Sequence, residues 1–139
     1  MNKRTIYISL CIFSLCLGGI IYITLKPSSY ISIFIQEIIP LSTNLIYEYE
    51  TTSLNFIKYY FPDFLWSFSL YCALSIISNT NKMLLINGFI VFVIGVSWEF
   101  CQKAGIVPGT GDCIDIIMYL LSVLIILIPS IVTNKKSRC

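Results

Sequence analysis

G-V-S-W-E-F-C-Q-K-A-G-I-V-P-G-T-G-D-C-I-D-I-I-M-Y, residues 95–119, joins two apolar runs and holds Glu99, Asp112 and Asp115, three of the seven acidic residues in the chain. The runs on either side are Ile-, Leu-, Val- and Phe-rich and long enough to cross a membrane. Carboxylates beside hydrocarbon are costly, so they are paired, hydrogen-bonded or functional. This stretch therefore decides both the fold and the place where chemistry is sought.

Working outward, the composition fits the same setting. Of 139 residues, 57% are hydrophobic and only 12% charged, against roughly a quarter charged in a soluble domain. A chain this short cannot hide so much apolar surface in one core, and its mean hydropathy of +0.85 points to a bilayer as solvent. A formal charge of +2 is too small for a nucleic-acid partner, which calls for a basic patch or stripe. No histidine is present, which removes the usual general base and zinc ligand. The six cysteines form no framework. Cys11, Cys16 and Cys72 fall in apolar runs and act as small hydrophobes. Cys101 and Cys113 flank one loop, where a disulfide is one alternative.

The expected fold is all-α: a four-helix transmembrane bundle forming one membrane domain over residues 1–139, with short interfacial helices after the first span. Spans are placed at about 5–25, 62–78, 83–104 and 113–133. Residues 5–25 carry no charge and reach the roughly 20 residues a span needs, so they are expected to be a retained helix rather than a cleaved signal. Residues 27–61 are expected to form an interfacial segment at the outer side, tyrosine-rich as at headgroups. There, one short helix ends at Pro40 and another runs from Thr52 to Phe61. Gly105 is expected to cap the third span. With four spans, Lys3, Arg4, Lys82, Lys135, Lys136 and Arg138 share one side, and every acidic residue lies on the other. The bias places both termini in the cytoplasm and the acids at the outer face.

Helical spacing gives three polar stripes: Asp63, Ser67, Tyr71, Ser75 and Ser78 on the second span; Asn87, Val91, Gly95, Glu99 and Gln102 on the third; Asp112, Asp115, Tyr119 and Ser122 on the fourth. Residues three or four apart share a helix face. Polar faces do not favourably meet lipid, so the stripes are expected to converge into an acidic pocket at the outer end. Gly109-Thr110-Gly111 would roof it, flanked by Trp66 and Trp98. Plainer roles stand beside this one. Asp63 and Asp112 occupy N-cap positions, and Asp115 completes a capping-box spacing. Lys103 lies four after Glu99 and can pair with it. Trp66 and Trp98 suit an aromatic belt. Glu99 resists such an account, because it sits near a helix C-terminus, where negative charge is disfavoured.

The same motifs resemble the VanZ-like family of bacterial integral membrane proteins. Asp63, Phe68 and Tyr71 match the family's opening of one span, with Ser67 where it has His. Glu99 and Gln102 reproduce its Glu-x-x-Gln, and Asp112 and Asp115 its Asp-x-x-Asp. Gly109-Thr110-Gly111 stands in place of the basic residue before those aspartates, and Tyr119 in place of an Asn. The match covers residues 62–127. The resemblance implies a multi-pass protein of the bacterial cytoplasmic membrane, associated with low-level resistance to a glycopeptide antibiotic and without an established biochemical activity.

Three functions follow as alternatives. In the first, Asp63, Ser67, Tyr71, Trp98, Glu99, Gln102, Lys103, Asp112, Asp115 and Tyr119 bind an envelope or lipid-linked component, or a glycopeptide, without catalysis or cofactor. In the second, the carboxylates hold Mg²⁺ for work on a lipid phosphate, or Glu99 acts as a base. In the third, a homo-oligomer joined through Gly88 and Gly95 forms a path across the membrane.

Overall fold

The uncharged run after Lys3 and Arg4 forms helix α1 (Lys3–Leu25) in a computed structural model that describes residues 3–25, 52–78 and 80–136. Three more helices follow among the described residues: α2 (Thr52–Ile76), α3 (Asn81–Lys103) and α4 (Cys113–Lys136). α1 and α3 are each long and apolar enough to cross a membrane, and residues 113–129 of α4 form a shorter apolar stretch. The short helix expected before Pro40 and the tail residue Arg138 lie outside the described residues.

α2 differs most from expectation. A break was placed at Phe61–Pro62, yet one helix runs from Thr52 through Pro62. Proline removes one intrahelical hydrogen bond and crowds the preceding turn. A proline break is local, and here side chains on both flanks hold the helix together. Phe61 stacks on Phe64 with centroids 5.6 Å apart, and Phe64 on Phe68 at 5.9 Å. Asp63 is therefore an interior helical residue, and the N-cap role expected of it is not used.

The other ends follow local rules. Thr80 caps α3 by accepting from the Met83 N–H at 3.2 Å. At the far end Gly105 takes φ +71°. Its N–H reaches the Gln102 carbonyl, and Ile106 N–H reaches that of Cys101, both at 2.9 Å. This is the paired closure that a left-handed glycine after a helix permits. Asp112 caps α4 through Oδ1, which accepts from Ile114 N–H at 3.2 Å.

Cross-helix contacts fix the topology. Ser14 donates to the Leu65 carbonyl at 2.7 Å and Cys11 meets Ser69 at 3.3 Å, so α1 and α2 are antiparallel. Ser67 and Ser122 meet at 2.6 Å, and Tyr60 meets Asp112, so α2 and α4 run the same way. α3 opposes α4, with Gly95 against Tyr119 and Gly88 against Val123. Among the described elements α1 packs on α2, whereas α2, α3 and α4 contact one another. One end collects Lys3, Arg4, Lys82 and the α4 terminus at Lys136; the other collects Asp63, Glu99, Asp112 and Asp115.

The polarity of the bundle is inverted relative to a soluble one. Ser14, Ser67, Ser69, Ser75, Ser78 and Ser122 are buried, while Phe13, Phe89 and Phe100 are 66%, 70% and 73% exposed. Tyr7, Tyr71, Cys72, Val91, Val123 and Ile126 form the central core. The two α3 glycines, expected as contacts between copies, are used within the chain. A Cβ on Gly95 would sit 2.6 Å from Tyr119 Cγ, and one on Gly88 2.8 Å from Val123 Cγ1.

Candidate functional site

The acidic ends of α2, α3 and α4 surround an open cleft of ≈ 430 Å³. Tyr59, Tyr60 and Asp63 come from α2, Trp98 and Gln102 from α3, and Asp115 from the first turn of α4. Pro108, Gly109 and Thr110 close one side, and Asp112 completes the lining. Gly109 is at φ +139°, which favours glycine, and a Cβ there would overlap the Gln102 amide. The loop is thus seated on Gln102. Among the described residues the lining holds three carboxylic acids and no basic side chain.

Glu99 lies behind this cleft, 5% exposed. Its Oε1 accepts the Tyr119 hydroxyl at 2.6 Å, and its Oε2 accepts the Asp112 backbone N–H at 3.1 Å. In a capping box the residue three after the cap, here Asp115, serves that backbone N–H. Here a carboxylate from the preceding helix takes that place, leaving Asp115 to line the cleft. The position also accounts for a negative charge near the end of α3. Glu99 faces the start of α4, where the helix dipole favours an anion. Its oxygens turn to Tyr119 and Asp112 rather than to Lys103, which is exposed.

Gln102 secures the neighbouring wall. The amide orientation that satisfies both its ends donates to Glu99 Oε2 at 3.3 Å and accepts from Trp98 Nε1 at 3.1 Å. The reverse orientation gives a 3.4 Å bond to the Pro108 carbonyl. Amide N and O are assigned from such networks, and two good partners outweigh one long one.

Of the ten residues singled out from the sequence, Asp63, Trp98, Gln102, Asp112 and Asp115 line the cleft. Glu99 and Tyr119 form the buried brace beneath it. Ser67 lies deeper, bonded to Ser122, which donates to the Tyr119 carbonyl at 2.8 Å. Tyr71 is fully buried and donates to the Leu84 carbonyl at 3.2 Å, below the cleft. Lys103 sits outside it, on a groove between α3 and α4. Cys101 and Cys113 are free thiols. Among the described residues, no three Asp, Glu or Cys side chains are grouped to hold a metal ion.

Tyr59 and Tyr60 were missed as site residues. They are four and three positions before Asp63, a spacing that shares a face only if the helix continues through Pro62. Tyr60 donates to Asp112 Oδ2 at 3.1 Å. That bond to a carboxylate, followed by partial desolvation, raises its hydroxyl above the ordinary tyrosine value. The hydroxyl thus stays a donor throughout the neutral range. Tyr60→Phe is expected to lower the thermal unfolding temperature in micelles slightly, because it removes this one bond to Asp112. An unchanged transition would mean that water serves Asp112 equally well.

No family model, curated protein or solved structure matches the chain.

Proposed function

We propose that this chain is a VanZ-like integral membrane protein of the bacterial cytoplasmic membrane. It crosses the bilayer four times with both termini in the cytoplasm. Its acidic cleft, at the outer membrane-water boundary, binds a hydroxyl-rich or cationic group of an envelope component, a lipid-linked component or a glycopeptide antibiotic. The observation that carries this is the cleft itself: Asp63, Asp112 and Asp115 share one wall system with Tyr59, Tyr60 and Trp98. Carboxylates accept from hydroxyl and ammonium donors, and aromatic faces hold cations and apolar ring surfaces.

The membrane setting rests on the inverted polarity of the bundle. Soluble monomers rarely expose large contiguous apolar patches, whereas buried serines and outward Phe and Ile suit helices packed in lipid. The basic end, with Lys3, Arg4 and Lys82, supports its cytoplasmic placement. Beneath the cleft the Tyr71–Val91–Val123 layer fills the interior, which favours a pocket open at one face over a path through one copy.

Native mass spectrometry of the protein purified from bacterial membranes, before and after adding a glycopeptide, tests this proposal. Asp63→Asn and Asp115→Asn keep side-chain size and remove charge. Each is expected to lower bound ligand about tenfold, since bonds to charged groups contribute about 1.5–3 kcal/mol. Equal occupancy in wild type and both variants would remove the cleft as the binding site.

A further inference from the structure

A second, smaller cavity lies on the other side of Glu99, outside the acidic cleft. It is a groove of ≈ 170 Å³ along the α3–α4 seam. Val96, Phe100 and Ile116 give it an apolar floor, and Phe100 is 73% exposed beside it. Its charged lining residues are Glu99, whose oxygens are taken by the Tyr119 hydroxyl and the Asp112 N–H, and two of opposite charge, Lys103 on α3 and Asp112 at the start of α4. Gly111 brings the rim in tightly. A Cβ there would sit 2.6 Å from the Glu99 carbonyl oxygen and 2.9 Å from Lys103 Cβ.

This combination selects among membrane components. The apolar floor suits an acyl chain. Lys103, exposed and cationic, pairs with a phosphate at the head of that chain. Asp112 uses one lone pair of each oxygen, toward Ile114 N–H and the Tyr60 hydroxyl, and an ionised carboxylate has about four acceptor positions. The remaining positions take N–H donors. A primary ammonium supplies three such donors; a quaternary ammonium supplies none, and a glycerol head brings no positive charge. We infer that the α3–α4 groove is a binding site for a phospholipid bearing a primary amine, with its chain on Val96, Phe100 and Ile116, its phosphate at Lys103 and its ammonium at Asp112. The site rests on the membrane-embedded reading above but not on the identity of the cleft ligand.

The full-length protein in detergent is titrated with phosphatidylethanolamine, phosphatidylcholine and phosphatidylglycerol of identical acyl chains, and one-to-one complexes are counted by native mass spectrometry. Phosphatidylethanolamine is expected to bind about tenfold more tightly than either of the others, the scale of one charge-assisted bond. Lys103→Gln, at an exposed position, should lower its binding about tenfold. Ile116→Trp, which fills the groove, should weaken all three lipids. Equal binding of the three lipids, or phosphatidylethanolamine binding untouched by Lys103→Gln, overturns the site. Alkaline extraction of membranes separates the two levels. Release of the chain to the soluble fraction overturns both the embedded reading and the site, whereas an embedded chain indifferent to the amine overturns the site alone.

Discussion

Glu99→Ala is expected to destabilise the protein by about 3 kcal/mol, the largest loss for any single carboxylate among the described residues. The side chain receives two donors, the Tyr119 hydroxyl and the Asp112 backbone N–H. Bonds to a charged acceptor contribute about 1.5–3 kcal/mol each, and a buried donor left without a partner adds a desolvation cost. Tyr119 is 1% exposed, so water does not readily replace the lost acceptor there. Glu99→Gln keeps the shape and one acceptor oxygen, and about half the loss is expected. Thermal unfolding in micelles reads both, and ligand occupancy of the cleft should fall with them because Asp112 loses its anchor. A Glu99→Ala transition at the wild-type temperature would show that the brace contributes nothing.

Gly95→Leu is expected to abolish the folded bundle, and Gly95→Ala to cost about 2 kcal/mol. α3 meets α4 here with the Tyr119 ring against the glycine, where an added Cβ would sit 2.6 Å from Cγ and 2.9 Å from Cε2. The ring is clamped by its hydroxyl on Glu99, so relief requires the helices to separate. Overpacking costs about 1–3 kcal/mol, set against about 1 kcal/mol gained when alanine replaces a helical glycine. Gly19→Ala supplies the control, since a Cβ at Gly19 meets no atom within 4 Å; that variant should match or slightly exceed wild-type stability. If Gly95→Ala behaves like Gly19→Ala in the same unfolding assay, the close approach of α3 and α4 carries no weight.

Much of this arrangement was legible in the order of residues. The stripes built on Ser67, Gly95 and Tyr119 do turn inward, because a period near 3.6 and the cost of polar groups in lipid point the same way. The Gly105 cap and the Asp112 cap follow from local chemistry and needed no tertiary knowledge. The course of α2 was not legible. Pro62 followed by Asp63 has the pattern of a helix start, and the helix that continues from Thr52 to Ile76, with Phe61 stacked on Phe64 across the proline, is a tertiary outcome. Tyr59 and Tyr60 were lost with it. The role of Glu99 was hidden for a different reason. Its main partners are 13 and 20 residues away, one a backbone N–H and the other a hydroxyl, and neither leaves a mark in local spacing. Tyr71 erred the other way. Its spacing placed it on the site face correctly, but spacing says nothing of depth along the bundle.

Among the described elements, α1 packs on α2, and both of these helices precede the rest of the bundle in the chain. The Glu99–Tyr119 and Ser67–Ser122 bonds under the cleft, by contrast, need the last helix to be made. Until Asp112 and Tyr119 are in place the Glu99 carboxylate lacks both of its donors, whereas Ser67 already reaches the Asp63 and Phe64 carbonyls of its own helix.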